Sequence, residues 1–529
     1  MQRRKRLLAC CVSLVSLCFA FLIGDGVTLP ACVAGAQQRP EEKVKQLLKV
    51  LDSTNDVNVW LSVVTLLGEL GTNPLTPDEL VDLRSRSDRP TEAAASASDA
   101  IQTELRDLAS DRLAKRLTAG KPLDPRLYRA ILLALGRIRA PIQVAAPAWQ
   151  AALRDKDVAV RMAVVSGLES YLSRSKEIRD VFPRTDRQFE MIAQYVHDMA
   201  KVPAVIRTAL EDRDTEVRTG ALVALSRMLT DHDKLEPLAL VMARPEAVTE
   251  LRRDLPEIAD GLRGLRSVLE SVLASGTDEQ VRLVMEVCEE IARLRDPRVD
   301  RDLAVGRLLQ PDLGEEGQRA AAMLTQMLRD LVPAIAGKIG SSSVDSRIAA
   351  LGILELLGPD AKPAVPAIAK ALQDRNRFVR WGAARALGRI GATKNGVFEG
   401  LGEQLSDDDL DVAGAAARAL EDCGRDALPA VPALAKALAR DDPTLRLSLL
   451  FALRAVGPDE RSAATVVPAI AVALNAPQAR VRREVPPVLA MYGPKAKTAV
   501  PALKALLDDP DAEVRQSASE ALLKILGQQ

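Results

Sequence analysis

One stretch of sequence recurs along this chain. AVPAIAKALQDRNRFVRWGAARALGRIG, at 364–391, returns with its Ala-Val-Pro-Ala start, its Val-Arg pair and its final glycine kept as AVPALKALLDDPDAEVRQSASEALLKILG at 499–527. Self-similarity at a short period is typical of repeat architectures, in which each unit packs mainly on its neighbours. This recurrence constrains the fold more than any bulk property of the 529-residue chain.

Three landmarks keep phase through the C-terminal part of the chain. Units begin with Val-Pro-Ala-(Ile/Leu), or with VFEGL, where Phe398 takes the proline slot. They follow at 32 to 34 residues, with one step of 36 where PDERSAAT lengthens a turn. A small or branched residue followed by arginine stands inside most units, and a glycine closes each one. The starting valines are Val332, Val365, Val431, Val467 and Val500, and the closing glycines are Gly358, Gly391, Gly424, Gly457, Gly493 and Gly527.

Each unit is predicted to form two helices. In the last unit, Pro501 suits a first helical turn because its missing N–H would have no partner there, and the Asp-rich turn at 508–511 ends that helix. Apolar residues then recur at helical spacing from Val514 to Ile525, and Gly527 is expected to end the second helix in a left-handed conformation. Neither helix can bury its apolar stripe alone, so the units must stack. The predicted fold class is all-α, an α-α superhelix of two-helix repeats.

Composition agrees with closely packed helices. Aromatic residues make up 3% of the chain, hydrophobic residues 47% and charged residues 27%, a folded, soluble balance that is poor in the aromatic residues favoured by sheets. The 72 basic and 72 acidic residues give a formal net charge of zero. The bulk charge therefore lacks the basic excess typical of a nucleic-acid-binding protein.

The first 36 residues have the pattern of a secretory signal peptide. MQRRKR is a basic start, LLACCVSLVSLCFAFLIG is an uncharged apolar run, and Ala34-Gly35-Ala36 offers a small-x-small cleavage site before Gln37. The apolar run is also long enough for an uncleaved membrane anchor, and the residues before Cys32 resemble a lipoprotein box. We expect export to the periplasm, the cell envelope or the outside, with cleavage between Ala36 and Gln37; an anchored or lipidated N-terminus is the alternative.

The VPAL start, the Asp-rich turn, the Val-Arg pair and the Leu-Gly ending resemble HEAT repeats, particularly the short HEAT-like repeats named after phycobilisome lyases. The resemblance covers 331–529. Isolated second-helix patterns at Val160-Arg161, Val217-Arg218 and Val281-Arg282 indicate degenerate repeats with insertions before it. The predicted organisation is a leader at 1–36, irregular repeats at 37–330 with a polar insertion at 75–100, and regular repeats at 331–529.

The recurring arginines and aspartates of this sequence resemble the ladder that links neighbouring units in the HEAT family through charge and turn hydrogen bonds. A structural role is favoured over catalysis because nearly every unit carries these residues, whereas an active site is needed only once. Ala413 interrupts the arginine row. The predicted ladder consists of Arg347, Arg380, Arg446, Arg482 and Arg515 with Asp374, Asp407, Asp442 and Asp508.

One unit departs from the others in composition. Its second helix groups arginines around Trp381, one of only three tryptophans. Trp381 and Arg385 lie one helical turn apart and off the apolar stripe, and tryptophan with arginine is typical of protein-binding hot spots. We interpret Trp381, Arg377, Arg385 and Arg389 as a candidate protein-binding patch. The alternative is that Trp381 packs within the repeats and the arginines are only solvated.

Two further features concern helix geometry and self-association. Pro486-Pro487 lies inside a predicted second helix and should kink or restart it. The C-terminal repeat ends in an apolar surface that is a candidate site for pairing with another copy of the chain.

Catalytic chemistry finds little support in the sequence. His197 and His232 are the only histidines, and neither stands in a His-Glu, paired-Cys or nucleophile-elbow motif. Cys288 and Cys423, the two cysteines after the leader, lie on apolar helical stripes and are expected to be buried thiols. HEAT-like deoxyhypusine hydroxylases carry repeated His-Glu metal ligands that are missing here. Hydroxylase activity and phycobilin lyase activity are therefore disfavoured alternatives. Nucleic-acid binding is disfavoured by the neutral charge and the export leader.

The function expected from the sequence is an exported, non-enzymatic scaffold without a cofactor or metal. It would bind protein partners and no nucleic acid, and it would touch a membrane only through its N-terminal segment.

Overall fold

The computed structural model describes residues 40–72, 104–118, 123–172, 197–230, 245–293, 314–391 and 396–527, with single positions at 75, 97 and 101. The predicted leader with Cys32, Ala36 and Gln37, most of the insertion at 75–100, and His232 lie outside the described residues. All regular structure within these ranges is helical. The all-α fold class predicted from the repeat is confirmed.

The chain forms two compact units, 1–140 and 141–529. The helices of the first unit are α1 (Pro40–Ser53), α2 (Val57–Thr72), a π-helical turn (Leu105–Ala109), α3 (Ser110–Thr118) and α4 (Pro125–Arg137). Helix α2 packs on α4 where a side chain at Gly71 would place its Cβ 2.3 Å from the Arg137 carbonyl oxygen, so that only glycine fits.

The second unit is a series of helix pairs. Its irregular N-terminal helices are α5 (Ile142–Ala152), α6 (Val158–Leu172), α7 (Val202–Leu210), α8 (Thr215–Thr230), α9 (Pro245–Arg263), α10 (Arg266–Ser275), α11 (Asp278–Arg293), α12 (Gly314–Gly337) and α13 (Val344–Leu357). The regular part continues with α14 (Val365–Ala371), α15 (Arg377–Ile390), α16 (Val397–Gln404), α17 (Leu410–Cys423), α18 (Val431–Ala437), α19 (Pro443–Val456), α20 (Ala463–Ala471), α21 (Ala479–Ala490), α22 (Val500–Ala505) and α23 (Ala512–Leu526).

The second helices of the pairs form one row. Each helix in the order α6, α8, α11, α13, α15, α17, α19, α21 and α23 packs against the next, and the first helix of each pair covers its own second helix. The Val-Arg patterns at 160–161, 217–218 and 281–282 all lie in this row. The irregular repeats thus continue into the regular ones. The irregular and regular repeats lie within the same compact unit.

Glycine ends most of the second helices in the regular part. Gly391 and Gly527 adopt the left-handed conformation, with φ of 66° and 69°, and Gly358, Gly424, Gly457 and Gly493 also have positive φ. A residue with a Cβ would be strained at these angles. The left-handed ending predicted at Gly527 is confirmed.

Two proline-containing helices differ from the simple pattern. Pro333, expected at the start of a short first helix, lies inside the 24-residue helix α12. Helix α21 runs continuously from Ala479 to Ala490 through Pro486 and Pro487, so the restart that these prolines suggested does not occur. In the described part of the chain, no helix is both long enough and apolar enough to cross a membrane.

Candidate functional site

Arg380 of α15 joins two successive turns. Its Nε and Nη2 donate to the two carboxylate oxygens of Asp407, at 2.6 and 3.0 Å, in the turn before α17. Its Nη1 points back to its own turn and donates to the carbonyls of Asp374 and Arg375, at 2.9 and 3.2 Å. Asp407 in turn accepts the backbone N–H of Asp409 at 2.9 Å. One guanidinium therefore fixes its own turn and holds the next unit against it.

The same contact recurs in other units. In each case the carboxylate belongs to the next unit and lies six residues before the position of that unit's arginine. Its place in the repeat can therefore be counted from the sequence. We call each such Arg–Asp contact a rung. The other rungs are Arg347–Asp374 at 3.0 Å, Arg482–Asp509 at 2.7 Å and Arg161–Asp212 at 2.7 Å.

Two aspartates of the predicted ladder do not form the rungs that were predicted for them. Arg482 pairs with Asp509, not with the predicted Asp508, which ends a short 3₁₀ turn. The spacing from Val500 to Asp509 equals that from Val365 to Asp374, so counting from the first helix gives the correct residue.

Asp442 lies at the N-cap of α19, where its carboxylate accepts the N–H of Leu445 at 2.6 Å. It satisfies a free N–H at the end of a helix and is not part of the rung to the next unit.

The row of rungs is interrupted at two arginine positions. For Arg446, the position in the next unit that a rung aspartate would occupy is Ala476, which has no carboxylate. Arg446 instead forms an ion pair with Asp441 of its own turn, at 3.3 Å. Where Ala413 replaces the arginine, Arg440 stands at the aspartate position and donates to the Leu405 carbonyl at 2.8 Å. The contact there runs in the opposite direction, from the later unit to the earlier one.

Arg515, the arginine of the last unit, donates through Nη1 to the carbonyls of Asp509 and Pro510, at 2.7 and 3.1 Å. Arg515 therefore contacts its own turn in the same way as the rung arginines do.

The rungs hold their groups in the charged state. Burial acts to raise the pKa of Asp407, but hydrogen bonds from Arg380 and from the Asp409 N–H outweigh it and the pKa is lowered. The hydrogen bond from Arg482 lowers the pKa of Asp509. The same contacts raise the pKa of Arg380 and Arg482. These charges serve to join the repeats.

The predicted patch residues lie on one side of α15. Trp381 is half-buried, and the Arg385 guanidinium lies 4.3 Å from its ring centre and donates to Glu355 of α13 at 2.5 Å. Arg377 pairs with Asp409, at the start of α17, at 2.6 Å. Arg389 is exposed on the same side of the helix. The patch thus takes carboxylate partners from the units on both sides of it.

Phe378 belongs to the same surface and was missed by sequence reasoning. Its side chain is 51% exposed, and the Arg377 guanidinium lies 4.5 Å from its ring centre. Like Trp381 it lies off the apolar stripe of α15, so the helical pattern that singled out Trp381 could also have identified it. We call Arg377, Phe378, Trp381 and Arg385 the aromatic–arginine face.

Exposed apolar side chains flank this face. Ile348 on the preceding second helix is 36% exposed, and Leu410 on the following one is 45% exposed. Leu410 directly follows Asp409, the partner of Arg377. Three successive second helices therefore expose apolar side chains.

The cysteines and His197 lie in ordinary structural surroundings. Burial raises the pKa of Cys288 to about 12; burial, then the charges of Asp422 and Asp426, raise that of Cys423 to about 11. His197 Nδ1 lies 3.1 Å from Asp254. Among the residues that the structure describes, no three His, Cys, Asp or Glu side chains come together to hold a metal ion.

Stacked helix pairs with one row of second helices define an α-helical repeat protein. More particularly, residues 328–421 and 431–523 match the family model of HEAT repeats.

Three solved structures illustrate the similarity. Importin β is 15% identical, with 92% of this chain and 66% of that chain covered and a TM-score of 0.42. An engineered protein is 19% identical, with 92% and 99% covered and a TM-score of 0.42. The CpcE–CpcF complex of phycocyanin lyase from Nostoc sp. PCC7120 is 26% identical, with 37% and 76% covered and a TM-score of 0.24. A search of curated proteins finds no match to this chain.

Proposed function

We propose that this protein is an exported, non-enzymatic scaffold that binds a protein partner through the aromatic–arginine face. HEAT and armadillo repeat folds generally bind protein partners, using the extended surface that stacked repeats create. The observation that carries the proposal is Phe378, a large aromatic side chain that is about half exposed beneath a guanidinium held in place.

The geometry of the face favours tight contact with a protein surface. Asp409 and Glu355 hold Arg377 and Arg385 over the two aromatic rings, so the side chains are ordered before a partner arrives. Ordering in advance lowers the entropy cost of binding. Aromatic and arginine side chains also dominate the energetics of protein interfaces.

The absence of catalysis is part of the proposal. Three of the five recurring arginines, Arg347, Arg380 and Arg482, are engaged in rungs. Such pairs stabilise the contact between units and would give a partner a rigid surface.

Capture from cells tests the binding proposal. Full-length protein with a C-terminal tag would be cross-linked in its native host and compared with Phe378→Ala and, as control, Val472→Ala, whose side chain is 58% exposed on another unit. We expect a protein that is enriched by wild type and Val472→Ala and lost with Phe378→Ala. A partner set unchanged by Phe378→Ala contradicts the proposal.

Export is tested by the N-terminus of the native protein. Mass spectrometry of protein purified from the cell envelope or medium should find a chain that begins at Gln37. A chain that still begins at Met1 and lies in the cytosol contradicts export. An intact leader in the membrane, or a lipid on Cys32, supports the anchored alternatives.

A further inference from the structure

In the described part of the chain, α23, the second helix of the C-terminal unit, packs against another second helix on one side only. That neighbour is α21. The other side can be recognised from the preceding units, where the residue four positions after the rung-arginine position faces the next unit, as Leu351 does toward Gly382. Ser519 has this place in α23 and is exposed. Its counterparts in α13, α15, α17 and α19 are at most 1% exposed: Leu351, Ala384, Ala417 and Leu450.

The turn after α22 shows the same difference. Leu507, two residues before the rung aspartate Asp509, is 40% exposed. In earlier units the next first helix covers this position, as α16 does where Gly400 contacts Leu372. The counterparts of Leu507 are at most 1% exposed: Leu372, Leu405, Leu438 and Leu474. The uncovered side of the C-terminal unit thus corresponds to the surface that joins units elsewhere in the row.

Arg515 adds unpaired donors to this side. In Arg482 the Nε and Nη2 atoms donate to Asp509 of the next unit, at 2.7 and 2.9 Å. Arg515 is exposed, and among the described residues only its Nη1 forms hydrogen bonds, with its own turn. Its Nε and Nη2 therefore remain available to an acceptor on another molecule.

The exposed residues on this side are spaced symmetrically along α23. Arg515 and Leu523 lie four residues before and after Ser519, and Ala512 and Leu526 lie seven residues before and after it. These spacings place all five residues on one helix face. Two copies of this face, packed antiparallel about Ser519, would bring Leu523 opposite Arg515 and Leu526 opposite Ala512. The two serines would meet at the centre, where small side chains allow close approach.

We propose that this face of α23 binds the same face of a second copy of the chain, with the two helices antiparallel. A symmetric contact requires a self-complementary surface, and the spacing about Ser519 provides one. The pairing covers Leu523 and Leu526, which are 49% and 41% exposed. It also brings each Arg515 to the C-terminal turn of the other helix, where free carbonyl groups accept N–H donors and a positive charge is favoured.

The proposed contact is separate from the aromatic–arginine face, which lies on α15, and does not depend on the function proposed above. A single helix pair makes a small interface. We therefore expect a reversible dimer with a dissociation constant of roughly micromolar order.

Analytical ultracentrifugation of the full-length protein from its native host measures this dimer. Leu523→Arg sets a cation against Arg515 of the other copy and should weaken the dimer at least about tenfold. Leu523→Glu sets an anion there and should dimerise more tightly than Leu523→Arg. Val472→Arg is the control, because Val472 is 58% exposed on another unit, and it should dimerise as wild type does.

Cysteine cross-linking tests the symmetry of the pair. Ser519→Cys should form a disulfide-linked dimer under mild oxidation, because the antiparallel contact brings the two sulfur atoms within bonding reach. Glu520→Cys, at the next exposed residue of α23, should not. Circular dichroism checks the folding of each variant, and if Leu523→Arg does not fold, the cross-link still provides the test. A wild-type monomer well above micromolar concentration, a heteromeric complex in place of the dimer, unchanged dimerisation of Leu523→Arg, or cross-linking of Glu520→Cys without Ser519→Cys would each overturn the proposal.

Discussion

Arg161 forms a two-point ion pair with Asp212, from Nε to Oδ2 at 2.7 Å and from Nη2 to Oδ1 at 3.2 Å, and the two side chains are only 3% and 5% exposed. The two residues are 51 positions apart in the irregular part of the chain. The pair nevertheless repeats the contact that joins the regular units. Rungs thus join the repeats of the second unit even in the part of the chain where the repeat is not regular in the sequence.

Replacing Arg161 with methionine should destabilise the N-terminal repeats strongly. The change leaves the Asp212 carboxylate buried without its partner, which typically costs about 3–5 kcal/mol. Hydrogen exchange should show faster local opening of α6 and α8. Arg207→Met removes the exposed pair with Glu211 and should cost less than about 1 kcal/mol. Equal protection in the two variants would contradict a structural role for the rung.

The rung between Arg482 and Asp509 should make the free energy of unfolding depend on pH in the acid range. The hydrogen bond from Arg482 lowers the pKa of Asp509 below its ordinary value in the folded state. Its contribution to stability is therefore present above the unfolded-state pKa and is lost as pH falls through the folded-state pKa. Asp509→Asn should therefore differ from wild type at neutral pH and approach it once the pH falls below the folded-state pKa of Asp509. Denaturant unfolding across this range measures the difference.

Asp508→Asn provides the control for that experiment. Asp508 precedes Asp509 and is exposed in the same turn. Its variant should keep the pH dependence of wild type. If Asp508→Asn, and not Asp509→Asn, flattened the acid response, the assignment of the rung would be wrong.

Gln404→Met should stabilise the protein. Gln404 is only 5% exposed, and its Oε1 atom has no hydrogen-bond partner among the described residues. Methionine has a similar length and removes the unpaired buried oxygen, a gain of about 1 kcal/mol in the free energy of unfolding. Gln373→Met is the comparison, because the Gln373 amide already donates to Glu403 at 2.9 Å. Thermal unfolding should place Gln404→Met above wild type and Gln373→Met near it. A clear loss of stability in Gln404→Met would show that the oxygen already has a partner.

Local chemistry explains why the helix pairs were predictable. Proline in a first turn, aspartate in the turn and glycine at positive φ each act within a few residues, so 365–391 and 500–527 can be interpreted without knowledge of the packing. Helix α12 shows the limit of such rules, since Pro333 lies in its interior. There the preceding residues extend the helix upstream, and the repeat motif alone does not reveal this.

The rungs and the aromatic–arginine face depend on contacts between units. Asp509 differs from Asp508 by one position, and only the register of one turn against the next decides between them. Arg161 pairs with Asp212 across an insertion, and the length of this insertion prevents the repeat from being recognised in the sequence. The pattern of α15 alone places Phe378 off the apolar stripe, but how much of its ring is exposed depends on what the neighbouring second helices leave uncovered.

The affinity of the captured partner for the purified protein is the most direct test of the proposed function. Isothermal titration calorimetry would compare wild type with Phe378→Ala and Val472→Ala, with circular dichroism showing that all three are folded. We expect Phe378→Ala to weaken binding at least about tenfold, as loss of a hot-spot aromatic residue does, and Val472→Ala to bind as wild type does. Equal dissociation constants for wild type and Phe378→Ala would contradict the proposed binding face.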